Sequence, residues 1–231
     1  MNLAYIIGVM LGDGGVYGNY YTVFCRDPNL EFVEFIARTV EELFGIKPNV
    51  RRASTKYYLV STNVRWVHDF FLRIGFPKGR KLTNASIPPL YRNDLDVVKG
   101  LFDSEGYCGI DYQRHGEKTY AYPYVGIDMI ARPVIRQAMD LLRKHGIQCS
   151  HQRKTPRAWG KHYQWRLVVK GWENVKLFSE LIGFRHPERS RRLLEILTEG
   201  GILRDHTPRA PAGTSAGVMI WSNPDHQVGH A

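Results

Sequence analysis

Asp13 and Glu105 each end a short apolar run and each precede a glycine. The runs, IIGVMLGDGG at 6–15 and VKGLFDSEGY at 98–107, align at an offset of 92 residues. The alignment pairs Ile6 with Val98, Gly8 with Gly100, Val9 with Leu101, Met10 with Phe102, Asp13 with Glu105 and Gly14 with Gly106. At helical spacing Gly8 and Gly12 share one face. Glycine inside a helix costs about 1 kcal/mol relative to alanine, so glycines repeated on one face point to close approach of a second helix. If the two runs are helices packed on each other across a pseudo-twofold axis, Asp13 and Glu105 meet at adjoining C-termini. There they face unpaired carbonyls and the negative end of the helix dipole. A divalent cation relieves that repulsion, because carboxylate and carbonyl oxygens bind it together. Gly14 and Gly106 are expected to let the chain turn sharply from helix into strand. One acid before a glycine is an ordinary solvated helix end; two at matched positions, beneath packing glycines, are not.

The elements that position these acids follow from comparing the chain with itself. EFVEFIARTVEELFGIKP at 31–48 parallels PVIRQAMDLLRKHGIQC at 133–149, with Gly45-Ile46 on Gly146-Ile147 at an offset of 101. YYLVSTNVRWVHDFFLRIGF at 57–76 parallels WRLVVKGWENVKLFSELIGF at 165–184 at an offset of 108. The offset grows only where hairpins are expected, first around Gly18-Asn19 against Gly116, then between 51–60 and 151–169. Insertions at hairpin tips cost little, so this is how a duplication diverges. Each half reads α-β-β-α-β-β-α, an α+β fold with an antiparallel sheet per half. The halves are expected at 1–92 and 93–204, joined through RNDLD at 92–96 after Pro88-Pro89. Residues 205–231, rich in Gly, Pro, Ser and Ala, are expected to form a poorly ordered tail or extension.

Lys and Arg number 32 against 22 acids, giving +10 and a pI near 9.6, which favours a polyanionic partner. Cys25, Cys108 and Cys149 form no CxxC or Cys/His cluster, which argues against a zinc site or a disulfide framework and for reduced thiols. No apolar run is long enough to span a bilayer, and the N-terminus lacks the basic region and cleavage site of a signal peptide. The expected location is therefore intracellular, cytoplasmic, with an organelle-encoded origin left open, and no membrane partner.

The runs I-I-G-V-M-L-G-D-G at 6–14 and V-K-G-L-F-D-S-E-G at 98–106 resemble the signature helices of the LAGLIDADG homing endonucleases, and the repeat order extends the resemblance over roughly residues 1–204. The resemblance implies a single-chain, pseudosymmetric monomer whose two sheets form a saddle over double-stranded DNA. It implies hydrolysis of both strands with Mg²⁺ or Mn²⁺, across the minor groove, leaving short 3′ overhangs. Metal ligands would be the carboxylates of Asp13 and Glu105 and the carbonyls of Gly12 and Ser104. A basic residue after the second hairpin and helix would be Lys81, with Lys78 and Arg80 nearby, and Arg189 in the second half. Arginine does not readily lose a proton, so Arg189 is expected to stabilise charge rather than act as a base.

Target reading would fall to the hairpin strands. In the first half the candidates are Asn19, Tyr21, Arg26, Arg51, Arg52, Ser54, Lys56 and Tyr58. In the second they are Asp111, Gln113, Arg114, Lys118, Tyr120, Gln152, Lys154, Arg157, Lys161, Gln164 and Arg166. Arg, Lys, Gln and Asn serve both base edges and phosphates. Because the halves differ, the target should be long and weakly palindromic. The alternative is an intron-splicing maturase, with intron RNA as partner, or a non-cleaving nucleic-acid-binding protein on the same fold. A basic structural protein using the repeat only for packing would have no need of acids at the helix ends. No splice-type segments flank the repeat, which favours a free-standing enzyme.

Overall fold

The computed structural model describes residues 2–79, 83–155 and 162–204. The first half runs α1 (Leu3–Gly12), β1 (Gly14–Tyr17), β2 (Thr22–Asp27), α2 (Leu30–Phe44), β3 (Asn49–Arg52), β4 (Tyr58–Thr62) and α3 (Arg65–Arg73). The second runs α4 (Leu95–Glu105), β5 (Gly106–His115), β6 (Lys118–Met129), α5 (Arg132–Lys144), β7 (Cys149–Lys154), β8 (Gln164–Lys170) and α6 (Trp172–Leu181), and then adds α7 (Pro187–Arg204). The sheets have the same antiparallel topology, β1-β2-β4-β3 and β5-β6-β8-β7. The expected α-β-β-α-β-β-α repeat is therefore present twice.

α1 is apolar on all sides and buried from Ala4 to Gly12, as a central helix must be. Asn2 starts it by accepting the Tyr5 N–H at 3.1 Å, and Asp94 starts α4 by accepting the Asp96 N–H at 3.0 Å. The two helices pack with backbones in contact. A Cβ on Gly8 would lie 2.0 Å from the Val97 carbonyl oxygen and 2.8 Å from the Leu101 nitrogen. A Cβ on Gly100 would lie 2.0 Å from the Tyr5 oxygen and 2.8 Å from the Val9 nitrogen. Tyr5, Gly8 and Val9 map onto Val97, Gly100 and Leu101 at the same offset of 92, so the pseudo-twofold axis passes through this contact.

The remaining helices cover one face of each sheet. In the first sheet Val23, Cys25 and Val60 turn towards them and are buried; in the second, Val125, Ile127, Leu167 and Val169 do so. Strand alternation leaves the other face of each sheet open. Among the described residues no helix is long and apolar enough to cross a membrane.

Gly14 and Gly106 carry the chain from helix straight into strand without left-handed conformations; Gly106 is extended, with φ −75° and ψ 151°. They are small because the strand leaves tightly against its own helix: a Cβ would lie 2.6 Å from Met10 Cα at Gly14 and 2.1 Å from the Phe102 oxygen at Gly106. Helix α7 is an addition to the repeat. Pro187 starts it, and Leu193 and Ile196 bury one side. The expected tail, 205–231, lies outside the described residues.

Candidate metal site and nucleic-acid interface

Asp13 follows the last residue of α1 and Glu105 is the last of α4. Both are half-buried. The Asp13 N–H closes the last turn onto Val9 at 3.1 Å, and Gly106 does the same onto Phe102. A Cβ on Gly12 would lie 1.9 Å from Ser104 Oγ and 2.9 Å from Glu105 Cγ, so the two helix ends touch at the acids. The structure thus brings Gly12, Asp13, Ser104 and Glu105 together, as expected. Among the described residues no group of three or more His, Cys, Asp or Glu side chains is placed to hold a metal. A cation here would depend on the two acids, main-chain oxygens and substrate oxygens. Such hard donors suit Mg²⁺, Mn²⁺ or Ca²⁺.

Arg189 lies close to Glu105, with its guanidinium turned to the end of α4. From the first turns of α7 its guanidinium donates to the Gly106 carbonyl at 2.7 Å, the Ser104 carbonyl at 2.7 Å and the Asp103 carbonyl. It caps the C-terminus of α4 and offsets its dipole, instead of facing open space where a phosphate would lie. The Ser104 oxygen keeps a second lone pair for another ligand. Lys81 and its neighbour Arg80 lie outside the described residues. The side chain of Lys78 crosses Gly18 at the β1–β2 turn, where a Cβ would come within 2.8 Å of its Nζ.

Beneath the helix ends lies a buried polar cluster that sequence reasoning missed. Asp103 accepts from Tyr5 Oη at 2.7 Å and from the main-chain N–H groups of Arg185 and His186 at 2.8 and 3.0 Å. Burial raises the Asp103 pKa, against the lowering effect of those bonds. Burial, then the Asp103 carboxylate, pushes the Tyr5 hydroxyl far above the ordinary tyrosine range. His186 Nε2 lies 3.2 Å from Asp27 Oδ1 across the two halves, and Arg189 Nη1 lies 3.9 Å from Asp27 Oδ2. The start of α7 therefore fastens α4, α1 and β2 together beside the acids. One signal was legible: Asp103 stands where the first repeat has the buried Leu11.

Cross-strand register sorts the expected DNA contacts. In the second half Gln113 pairs with Tyr120, Gln152 with Arg166 and Lys154 with Gln164, and Lys118 pairs with His115 at the hairpin end. These residues, with Asp111, share the open face, as expected. Arg114 pairs with Thr119 on the opposite face and donates to the Gly116 carbonyl at 3.1 Å. Adjacent strand residues cannot share a face, which excludes Arg114 from the side of Gln113. Arg157 and Lys161 lie outside the described residues. In the first half Arg26, Leu59 and Arg51 form one row on the open face. Arg52 and Tyr58 pair on the helix-covered side, and Arg52 ties the β3–β4 turn through the Ser54 and Thr55 carbonyls. Ser54 and Lys56 belong to that turn, where Ser54 Oγ accepts from the Lys56 and Tyr57 N–H groups at 3.2 Å. Asn19 and Tyr21 lie in a 3-10 turn rather than on a strand, and the Arg65 guanidinium sits 5.3 Å from the Tyr21 ring.

The open face also holds residues the sequence did not single out. Asp128 binds Lys154 at 2.8 Å and Arg166 at 2.9 and 3.2 Å, and accepts from Tyr107 Oη at 3.0 Å. Burial raises the Asp128 pKa, but the bonds from Arg166 and Lys154 outweigh it and the net shift is downward. Lys170 binds Asp111 at 2.7 Å, which with Gln113 holds that carboxyl below its ordinary range.

Two adjoining helix ends carrying matched acids, flanked by two open antiparallel sheets, form a two-repeat architecture that resembles that of LAGLIDADG proteins. Residues 93–183 match the family model described as a LAGLIDADG-like domain, and the first half repeats that domain's fold. The fold resembles I-SmaMI bound to uncleaved DNA target in the presence of calcium ions, at TM-score 0.61 and 9% identity over 90% of this chain and 94% of that one. It also resembles I-DmoI in complex with DNA and calcium, at TM-score 0.55 and 14% identity over 79% and 90%. Among curated proteins of Methanocaldococcus jannaschii, a glutamine–fructose-6-phosphate aminotransferase is 24% identical over 85% of this chain, and the ATP-dependent DNA helicase Hel308 is 25% identical over 84%. The chain spans only 17% and 16% of the length of these two relatives.

Proposed function

We propose that the chain is a monomeric, site-specific DNA endonuclease that hydrolyses both strands of a long, weakly palindromic target with Mg²⁺ or Mn²⁺. The observation that carries this is the contact of two helix C-termini, each bearing a half-buried acid, between two open basic sheet faces. Asp13 and Glu105, with the Gly12 and Ser104 carbonyls, would hold the divalent cation. That cation would supply an activated water and charge neutralisation at a phosphate. The chain's own work is positioning: Gly8, Gly12 and Gly100 set the helix spacing, and Arg189 fixes the end of α4. The likeness to nucleases seen on DNA supports this reading. So does the occurrence of one segment within two relatives of unrelated named activity, since such a segment owes nothing to either. The test is incubation with plasmids bearing candidate sites and Mg²⁺. Linear product that disappears with a chelator supports the proposal; intact plasmid on every site refutes it.

A further inference from the structure

Resting on the DNA-binding reading above, we infer that Arg166 reads a guanine in the target, held for that purpose by Asp128. Arg166 lies in one cross-strand row, between Asp128 on β6 and Gln152 on β7. It lines a groove of about 470 Å³ on the open face of the second sheet. Its Nε and Nη2 donate to the two oxygens of Asp128, closing one edge of the guanidinium. Nη1 makes no hydrogen bond among the described residues. The outer edge, formed by Nη1 and the second Nη2 hydrogen, therefore presents two parallel donors. Guanine offers two adjacent acceptors, O6 and N7, in the major groove; adenine pairs its acceptor with a donor amine. Two fixed donors distinguish these bases.

A phosphate also accepts from an arginine fork, but the surroundings favour a base. Asp128 offsets one of the two positive charges of Arg166 and Lys154, both of which it binds, and holds the Arg166 fork at a fixed angle, so what the arginine offers is direction as well as charge. Tyr107 braces the arrangement twice, donating to Asp128 at 3.0 Å while its ring lies 5.5 Å from the guanidinium carbon. A side chain already fixed loses little entropy on binding.

The test is selection of a random-sequence duplex library by the full chain in Ca²⁺, followed by competition binding. The expected consensus holds one fixed guanine that Arg166→Ala randomises, with a roughly 10- to 100-fold loss of discrimination at that position alone. Arg166→Lys keeps the charge but not the fork, and should relax the same position while retaining affinity. Asp128→Asn should relax it too. The Lys variant decides the matter if the Ala variant does not fold. Equal weakening on every sequence with a shallower salt dependence would mark a phosphate contact and overturn the inference. So would a consensus that Arg166→Lys leaves unchanged. Binding with no consensus would overturn base reading altogether, and absence of DNA binding would overturn the proposed function itself.

Discussion

Replacing Gly100 with alanine sets two effects of opposite sign against each other. Helix propensity favours alanine by about 1 kcal/mol. The added methyl, however, would lie 2.0 Å from the Tyr5 oxygen and 2.8 Å from the Val9 nitrogen, both backbone atoms. An ordinary carbon–oxygen contact is about 3.3 Å, so α1 and α4 must part by about 1 Å. Overpacking of this kind costs about 1–3 kcal/mol, occasionally more. The net effect should be destabilising by up to about 2 kcal/mol, which in a chain of this size lowers Tm by up to about 8 °C. The larger effect is on the site. Glu105 is carried on α4, and a 1 Å misplacement of reacting groups can reduce rate by about 100-fold. Gly8→Ala should behave alike, since its methyl meets the Val97 oxygen at the same 2.0 Å. Thermal unfolding and single-turnover cleavage of the target check both. A raised Tm with unchanged cleavage would mean that propensity dominates and that the helices are not in backbone contact.

Arg189→Met should leave the α4 carbonyls without their cap, lower Tm and slow cutting while DNA affinity in Ca²⁺ stays near normal; unchanged kinetics would remove Arg189 from the positioning of Glu105. Tyr5→Phe deprives buried Asp103 of its hydroxyl donor, and should destabilise by about 1–3 kcal/mol in chemical denaturation. The Asp128 pKa is held low by its cationic partners. Its contribution to stability is present above the unfolded carboxylate value of about 3.9 and is lost as pH falls through the lower folded value. Asp128→Asn should therefore flatten the acid limb of a Tm-against-pH curve; an unchanged limb would show that the pair adds nothing.

Much of the fold was legible because the chain repeats itself. Gly8 against Gly100 and Asp13 against Glu105 share one offset, so helix pairing and placement of the acids followed from one alignment. The growing offset located the hairpins, though alternation within them was read too coarsely. Arg51 with Arg52, and Gln113 with Arg114, are neighbours on a strand and face opposite sides. Helix α7 was missed because the first repeat gives it no counterpart to align with. The cross-half contacts of His186, Asp27 and Asp103 were illegible for a related reason. They break the symmetry that made the rest readable, and only the tertiary fold brings residues so distant in sequence together. Arg189 was placed in the correct vicinity, but whether a guanidinium faces a phosphate or a helix end depends on the course of α7.

If Asp13 and Glu105 act as one metal-binding unit, neither can be lost alone. Asp13→Asn and Glu105→Gln are compared with the unaltered chain, following metal-dependent cleavage of each strand alongside DNA binding in Ca²⁺. Either substitution should slow cutting of both strands by about 100-fold or more, with target sequence preference unchanged. Cutting at the normal rate in either variant would show that the two acids do not act as one unit.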